Sequence, residues 1–508
     1  MEKVVATGYL RNVEDATDLD QYGIARRYEV LFDLMTMVST SLLGLTFECA
    51  RCHDHKYDPI PQRDYFRLLA YFESSYNVHN WLKPQERWIP DVGPARRQEI
   101  DAHNGEVAKK VDDLQNKIKE LEKAGEKAAQ QQIDSLQQQI ADLNATRQSY
   151  GKIKALFDVN DPPTSRVLRR GDCFKPGILV SVGTPEVLTS LNRVERIPQP
   201  PETQPLPLPQ GTAGRRLALA GWITSPENPI TARVVMNRLW LHHFGKAIVA
   251  TPGNFGRSGS PPTHPEILDW LAVEFQQSGW GLKHMHRIVL LSRAYRQTSN
   301  RPDDVSGGEQ VDPDNKLLWR MNLQRIESEL IRDAVLATSN RLNLHAFGPS
   351  VPITTPVSGL STVQPSSKPN APERRSVYLF ARRVYPLRFM ELFDAPIMPV
   401  NCTRRINSTT VLQSFALLNS DFMIISANEA ARNILQTTGD DRDQLIVASY
   451  RKILSRNPAP DEMKACQSFL DDQSEIYQDE GEGDTAFTHT LSDLCHMLMC
   501  SNEFLYVD

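Results

Sequence analysis

Two cysteines and a histidine stand close together early in the sequence. Two residues separate Cys49 from Cys52, and His53 follows directly. Residues three apart lie on the same side of a helical turn, so both thiols and the adjacent imidazole can face one ligand. This is the spacing of c-type haem attachment, in which the thiols add to the porphyrin vinyl groups and the histidine ligates iron. The pattern predicts haem c bound through Cys49, Cys52 and His53.

Zinc is the competing interpretation of the same residues. The thiolates of Cys49 and Cys52 and the imidazoles of His53 and His55 are suitable ligands for tetrahedral zinc. All four lie within seven residues, and so short a span strains that geometry. Haem is therefore favoured, with zinc as the alternative, and packing without any cofactor as the remaining one.

The sixth iron ligand stays open. Met35, Met37, His79 and the histidines of the C-terminal domain are all chemically suitable, and spacing does not separate them. His55 is too close in sequence to reach the opposite haem face. It is either a group that supports the site beside Asp54 or a solvated loop histidine.

The elements around the motif can be predicted from apolar spacing. Residues 26–45 have a largely helical pattern that leads into the cysteines, and prolines at 59 and 61 make the following loop extended. Residues 64–72 form a second helix with an aromatic face. Residues 1–95 are therefore expected to form a helical, cytochrome-like unit.

The middle of the chain changes composition twice. In residues 96–150, apolar side chains alternate in steps of four and three, which predicts an antiparallel coiled-coil hairpin that turns near Gly125 and serves as a spacer or assembly arm. Residues 151–196 are expected to form a small β insertion, with strands at 155–159 and 165–169. A proline-rich linker follows at 197–212.

Residues 213–508 read as a large α-rich domain, so the predicted fold class is mainly α. One long helical run is expected at 409–435, and a strand at 376–380. His242 and His243 are interpreted as capping a helix C-terminus rather than binding metal. His284 and His286, two apart on a helix, do not share a face. The charged residues between 320 and 333 are expected to form structural ion pairs. No catalytic motif can be assigned, so an enzymatic role stays open.

Composition narrows the function classes. The 508 residues carry a formal charge of -5, which does not support nucleic acid or anionic lipid as a partner. No stretch reaches the about 20 apolar residues of a membrane span. The first residues lack the apolar core of a signal peptide, which taken alone favours the cytoplasm. Beyond the first pair, the remaining cysteines, of seven in all, are scattered and are expected to be buried small hydrophobic residues rather than a disulfide framework.

The stretch 44–61, which contains the Cys49 motif, resembles the planctomycete cytochrome-like domain of unknown function. Stretches at 228–233, 237–245, 261–271 and 501–505 resemble the companion C-terminal domain of the same proteins. Together they cover nearly the whole chain and identify it as a member of that family.

The resemblance implies a location and partners. Members of the family begin with a signal peptide and a further haem-binding domain, so this chain is expected to be truncated at its N-terminus and to be periplasmic or at the cell surface. It implies a redox partner protein for the haem segment. It also implies a glycan-related substrate for the C-terminal domain, in a role accessory to polysaccharide breakdown.

Overall fold

The computed structural model describes residues 5–17, 23–124, 129–159, 161–190, 214–300, 307–355, 361–363, 372–383, 385–396, 401–481 and 483–507. The protein is 55% helical with a few short antiparallel strands, which confirms the mainly α class. It divides into two compact units. Unit 1 contains residues 1–39 and 46–228, and unit 2 contains residues 40–45 and 229–508.

The first unit is built on two helices around the cysteine motif. Helix α1 (Gly23–Val38) buries one face, including Leu31, Leu34 and Met35, and Helix α2 (Gln62–Leu69) buries Tyr65 and Phe66. A T-shaped contact joins these two rings, whose centroids are 5.1 Å apart. The aromatic face expected for the second helix therefore lies in the core of unit 1.

The third and fourth helices of unit 1 form a hairpin. Helix α3 (Pro94–Ala124) and helix α4 (Ala129–Ala145) run antiparallel. Accordingly, Asn104 in the first half of α3 exchanges hydrogen bonds with Gln148, just beyond the end of α4, at 2.7 and 3.0 Å. Helix α3 begins well before Val107, the first residue of the expected apolar seam. The seam residues are buried or half-buried: Val107, Val111, Leu114, Ile118, Leu121, Ile133, Leu136, Ile140 and Leu143. The turn predicted near Gly125 lies outside the described residues.

The β content of unit 1 consists of two short antiparallel pairs. β1 (Trp88–Pro90) pairs with β2 (Lys152–Lys154), and β3 (Arg166–Leu168) pairs with β4 (Pro176–Leu179). The strand expected at 155–159 does not form there. The strand of this region is β2, three residues earlier, because it is residues 152–154 that pair with β1. Residues 155 and 156 are buried instead as an irregular segment.

Unit 1 ends beyond the proline-rich segment. Residues 197–212 lie outside the described residues, and helix α6 (Arg215–Ile223), which follows the short helix α5 (Glu186–Ser190), lies in unit 1. Arg215 donates a hydrogen bond to the carbonyl of Ala70 at 2.9 Å, and Arg216 pairs with Asp158 at 3.1 Å. These contacts explain why the boundary lies at Asn228.

The first half of unit 2 packs three helices around a single core. Helix α7 (Thr231–Phe244), helix α8 (Pro265–Gln277) and helix α9 (Leu282–Leu291) bury Met236, Phe275 and Met285. As expected, His242 and His243 occupy the last turn of α7, before Gly245 at φ 72°. Its left-handed backbone suits glycine and ends the helix.

The second half of unit 2 is a larger helical core. Residues of the helices at 328–338, 411–419, 421–438, 442–453 and 486–499 supply most of it, and the expected run at 409–435 is two helices separated at Ser420. The expected strand at 376–380 is a 3-10 turn, Ser376–Tyr378. The elements of this half are α10 (Gly308–Val311), β5 (Gln324–Arg325), α11 (Ser328–Thr338), β6 (Ile353–Thr354), β7 (Thr362–Val363), α12 (Arg388–Leu392), α13 (Val411–Asn419), α14 (Asp421–Thr438), α15 (Arg442–Ile453), α16 (Pro460–Asp479), α17 (Ala486–Met499), α18 (Asn502–Leu505) and β8 (Tyr506–Val507).

A buried amide holds the loop after α7. Asn237 is fully buried, its Nδ2 donates to the carbonyl of Val249 at 3.0 Å, and its Oδ1 accepts from the Val249 amide at 2.8 Å. Both backbone groups of Val249 therefore depend on this side chain, because a buried polar group without a partner is costly.

We predict that Asn237→Ala lowers the free energy of unfolding by about 3 kcal/mol, since two hydrogen bonds are lost and two backbone groups are left unsatisfied. Urea denaturation followed by tryptophan fluorescence measures this. The exposed Asn419 on α13 is the control, and Asn419→Ala should change stability by less than about 0.5 kcal/mol. Equal midpoints for the two variants would contradict the role of Asn237.

Candidate functional site

The two cysteines lie on a short turn that points them outward. A 3-10 turn, Glu48–Arg51, carries Cys49, and Cys52 follows it with its amide bonded to the Cys49 carbonyl at 3.2 Å. Ala50, between them, is fully buried, whereas both cysteines are exposed. Burial of the small alanine anchors the turn in the core, and the thiols on either side of it remain accessible.

His53 follows directly and is also exposed, with one ring nitrogen already engaged. Its Nδ1 lies 2.7 Å from the carbonyl oxygen of Asp54. A carbonyl oxygen only accepts hydrogen bonds, so Nδ1 carries a proton and Nε2 is the nitrogen left for a ligand. This is the tautomer of a histidine that ligates a metal through Nε2, because such ligands donate their other N–H to a backbone carbonyl or carboxylate.

His55 has a structural position, unlike His53. It is 9% exposed, and its Nδ1 accepts a hydrogen bond from the amide of Asp58 at 2.9 Å. Its own amide donates to the carbonyl of Ile60 at 2.9 Å. Of the two alternatives for His55, the solvated loop histidine is therefore wrong, since the ring is buried and organises the loop that follows the motif.

Gln62 joins three segments around the cysteine turn, and sequence reasoning missed it. At the start of α2, its amide donates to Oδ1 of Asp54 at 2.7 Å. Its side-chain Nε2 donates to the carbonyl of Arg51 at 2.9 Å and to that of Leu168 at 3.0 Å. One side chain thus ties the turn to the β3–β4 hairpin. No local spacing signals a contact between residues so far apart in sequence.

Arg51 anchors the other side of the turn. Its guanidinium lies over the ring of Phe32, 4.3 Å from the centroid, and pairs with Glu29 at 3.2 Å. Both partners belong to α1, so the turn is attached to both helices of the site. The cation–π contact is the more stabilising of the two, because the ion pair is partly exposed to solvent.

The β3–β4 hairpin brings a third cysteine toward the motif. A Cβ on Gly171 would lie 3.1 Å from the Cys52 Sγ, so the backbone of the hairpin loop approaches that thiol closely. Gly171 has φ 71°, which also favours glycine. Two residues later, the half-buried Cys173 is near enough to α1 to act on Tyr28: burial first, and then the charges of Glu73 and Cys173, raise the pKa of Tyr28 to about 12.

The structure does not bring all the predicted zinc ligands together. Cys49, Cys52 and His53 are exposed, whereas the ring of His55 is buried. Across the described part of the chain, no group of three or more His, Cys, Asp or Glu side chains is arranged to hold a metal ion.

Of the candidates for the sixth iron ligand, Met35 and Met37 are almost fully buried on α1, and His79 is exposed.

In unit 2, His286 Nδ1 lies 2.8 Å from His243 Nε2 and His284 pairs with Glu274 at 2.6 Å. The two α9 histidines thus face different partners, as their spacing indicates.

The residues of the motif fit a covalently bound haem in their chemistry. Two accessible thiols flank one turn, and the next residue has the tautomer that leaves Nε2 as a ligand. The hairpin beside Cys52 also carries exposed apolar side chains, since Phe174 is 71% and Ile178 is 65% exposed. Exposed apolar surface of this kind often marks a binding surface.

Comparison with protein families finds two matches along the chain. Residues 215–470, half of the chain, match the family model "PSD1: Protein of unknown function (DUF1553)", and residues 1–77 match "PSCyt2: Protein of unknown function (DUF1549)". The chain therefore belongs to the PSD1 family, and the resemblance to planctomycete-type domains is confirmed. No curated protein and no solved structure matches the chain. None of the described helices has the length and apolar character needed to cross a membrane.

The acidic side chain of Asp33, on α1, has a raised pKa and therefore destabilises the folded protein at neutral pH. Burial, followed by the charges of Glu29 and Glu14, raises the pKa of Asp33 to about 6 from its ordinary 3.8. The folded state therefore binds more protons than the unfolded chain between these two values. The contribution of Asp33 to stability is favourable at low pH and is lost as the pH rises through that window.

We predict that Asp33→Asn raises the free energy of unfolding by about 1 kcal/mol near pH 7, because the neutral amide escapes this cost and the half-buried site is screened by solvent. The gain should be smaller near pH 4.5. Urea denaturation at both pH values measures it. Asp112→Asn, at an exposed position on α3, is the control, and a gain that does not depend on pH would contradict the explanation.

Proposed function

We propose that unit 1 is a c-type haem module with a role in electron transfer or redox chemistry. Cys49 and Cys52 would hold the porphyrin through thioether bonds, and Nε2 of His53 would ligate the iron. The observation that carries this proposal is the hydrogen bond from His53 Nδ1 to the Asp54 carbonyl, on the same turn that exposes both thiols. When bound, the haem would supply one-electron transfer.

Each thiol has a defined task in attachment. Cys49 would hold one side of the porphyrin and Cys52 the other, each through addition of its S–H across a vinyl group, which would form a thioether without loss of any atom. Both side chains are exposed, as the reaction requires, because a maturation enzyme must deliver the porphyrin to the folded or folding turn. The anchoring of Arg51 and Gln62 keeps their spacing fixed.

The polypeptide orients the iron ligand through its backbone. The Asp54 carbonyl accepts from Nδ1 of His53 and fixes the plane of the ring, and the Gln62 amide in turn holds the Asp54 side chain at 2.7 Å. A hydrogen bond to the distal nitrogen of a ligating imidazole raises its basicity and so favours the oxidised metal. Phe174 and Ile178, on the hairpin beside Cys52, offer apolar surface that would lower the access of water to a porphyrin.

We place this module outside the cytoplasm, in the periplasm or at the cell surface. The support is the family resemblance, together with the fact that covalent haem is attached there. A redox partner protein is the interaction that follows, because an exposed haem edge exchanges electrons with another carrier.

We predict that the protein, exported in a host with a cytochrome c maturation system, gives a pyridine haemochrome spectrum typical of a haem with two thioether bonds. The Cys49→Ser/Cys52→Ser variant should lose at least about nine-tenths of the acid-stable haem, because no thiol of the motif remains to form a thioether. Haem stain after denaturing electrophoresis and elemental analysis measure it.

The expectation that the cysteines outside the motif are buried holds for Cys466 and Cys495 but is wrong for Cys402, which is exposed. Because Cys402 lies in unit 2, Cys402→Ser is the matched control. It should retain its haem. A parent protein with stoichiometric zinc and no iron would support the zinc alternative instead, and a parent with neither would leave the motif as a packing element. Either result contradicts the haem proposal.

We predict that His53→Ala keeps covalent haem but shifts the Soret band, because both thiols remain and the axial nitrogen is lost. Added imidazole should restore the parent spectrum by occupying the vacated position. His103→Ala, at a histidine of α3 that is not a candidate ligand, is the control. If the spectrum of His53→Ala matches that of the parent without imidazole, His53 is not the ligand.

A further inference from the structure

Unit 2 contains a cavity that is independent of the haem proposal. Its volume is about 450 Å³, within the range of small-molecule sites. It lies between the start of α11, the 3-10 turn Ser376–Tyr378 and α12. Its lining combines four carboxylates with four guanidinium groups, so its formal charge is balanced. Whether the cavity can bind an anion or a cation depends on which of these charged groups already have hydrogen-bond partners in the fold.

The carboxylates of the cavity already have partners within the fold. Arg405 binds both oxygens of Glu329, at 2.6 and 3.0 Å, and lies 3.5 Å from Glu327. Burial alone would raise the pKa of Glu329, but the bonds from Arg405 outweigh it and the pKa is lowered. A bidentate arginine pair of this kind is stable and keeps its direction.

The other two carboxylates are also engaged. Asp333 accepts hydrogen bonds from the amide and the hydroxyl of Ser376, both at 2.7 Å, and Glu391 pairs with Arg388 at 3.1 Å. A cationic ligand would have to break at least one of these arrangements. The cavity is therefore poorly suited to a cation.

Two guanidinium groups at the cavity have weaker partners. Arg375 is half exposed and approaches Asp333 only to 3.8 Å, beyond hydrogen-bond distance. Arg382 is exposed and donates to the neutral hydroxyl of Thr355 at 3.1 Å. Both can turn to an incoming anion without leaving a buried charge unpaired.

The rest of the lining is apolar. Ile353 and Leu379 are buried and pack with Leu387 and Met390 beneath the cavity, and Phe380 is 48% exposed at its surface. An apolar floor with a few charged groups at one side selects amphiphilic molecules.

We propose that this cavity binds an organic anion with an apolar body, whose charged group contacts Arg375 and Arg382 and whose body lies over Leu379 and Phe380. The geometry requires no haem and no other part of unit 1. Failure of the haem experiments would leave this site untouched.

The test uses two fluorescent probes that share one skeleton. 8-Anilinonaphthalene-1-sulfonate carries an anionic sulfonate, and N-phenyl-1-naphthylamine lacks it. The full chain should bind both. In the Arg375→Gln/Arg382→Gln variant, the affinity for the sulfonate should fall by about tenfold or more, because charge-assisted hydrogen bonds are lost, while the affinity for the neutral probe should change less than about twofold.

Three further variants make the result specific. Arg432→Gln, at an exposed arginine of α14, should leave both affinities unchanged. Phe380→Ser should weaken both probes alike, because it removes apolar surface that both use. Arg382→Gln alone, at an exposed side chain whose bond goes to a hydroxyl, gives the same direction with a smaller change and provides the test if the double variant loses stability.

The proposal is overturned if the parent does not bind the sulfonate. It is also overturned if the double variant binds the sulfonate within about a factor of two of the parent, which would place that probe elsewhere on the surface. Equal weakening of both probes in the double variant would show that the arginines only maintain the shape of the cavity, and would reject their role in anion binding.

Discussion

The candidate haem site depends on the hydrogen bonds of one side chain, Gln62. It stands at the first position of α2, where the helix leaves backbone N–H groups free to bond outside it. Its amide holds Asp54, and its side chain reaches the carbonyls of Arg51 and Leu168. The turn with the thiols, the loop after it and the β3–β4 hairpin are thereby fixed to one helix end. Without the side-chain amide of Gln62, the carbonyl groups of Arg51 and Leu168 would lose a hydrogen-bond partner, and the hairpin would lose a direct link to the turn.

The parts of the site that follow from local spacing could be predicted from the sequence. Residues three apart share a side of a turn whatever surrounds them, so the common exposure of Cys49 and Cys52 required no knowledge of the fold. The role of His53 is also local, because its ring bonds to the next residue in sequence. The approach of Gly171 to Cys52 and the contact of Gln62 with Leu168 could not be predicted. They join segments more than a hundred positions apart, and single-sequence periodicity does not encode such pairings.

In the fold, too, the features set by local sequence could be predicted, and those set by contacts between distant segments could not. The seam of the α3–α4 hairpin follows from a repeat that is complete within each helix, and the buried positions are those of the repeat. The residues at 376–380 have the composition of a strand, but Asp333 on α11 captures the amide and hydroxyl of Ser376 and bends the chain into a 3-10 turn. A carboxylate that satisfies a backbone donor competes directly with strand pairing. The charged residues between 320 and 333 are predicted to form structural ion pairs. The bidentate ion pair of Glu329 with Arg405 is such a pair, but it joins distant segments rather than neighbours on one helix.

The two units therefore carry sites of different origin. In unit 1, the candidate haem-binding groups are contiguous in sequence, and the fold has only to expose them and fix their spacing. In unit 2, the cavity gathers groups from α11, the turn at 376–378 and α12, and the proposed selectivity depends on which of these groups already have hydrogen-bond partners. Counting charges along the sequence gives a balanced cavity, which predicts no preference. Arg405 and Ser376 already donate to the carboxylates Glu329 and Asp333, whereas Arg375 and Arg382 have only weak partners, so guanidinium donors are the groups still available to a ligand. The proposed preference for an anion therefore rests on hydrogen-bond pairing rather than on composition.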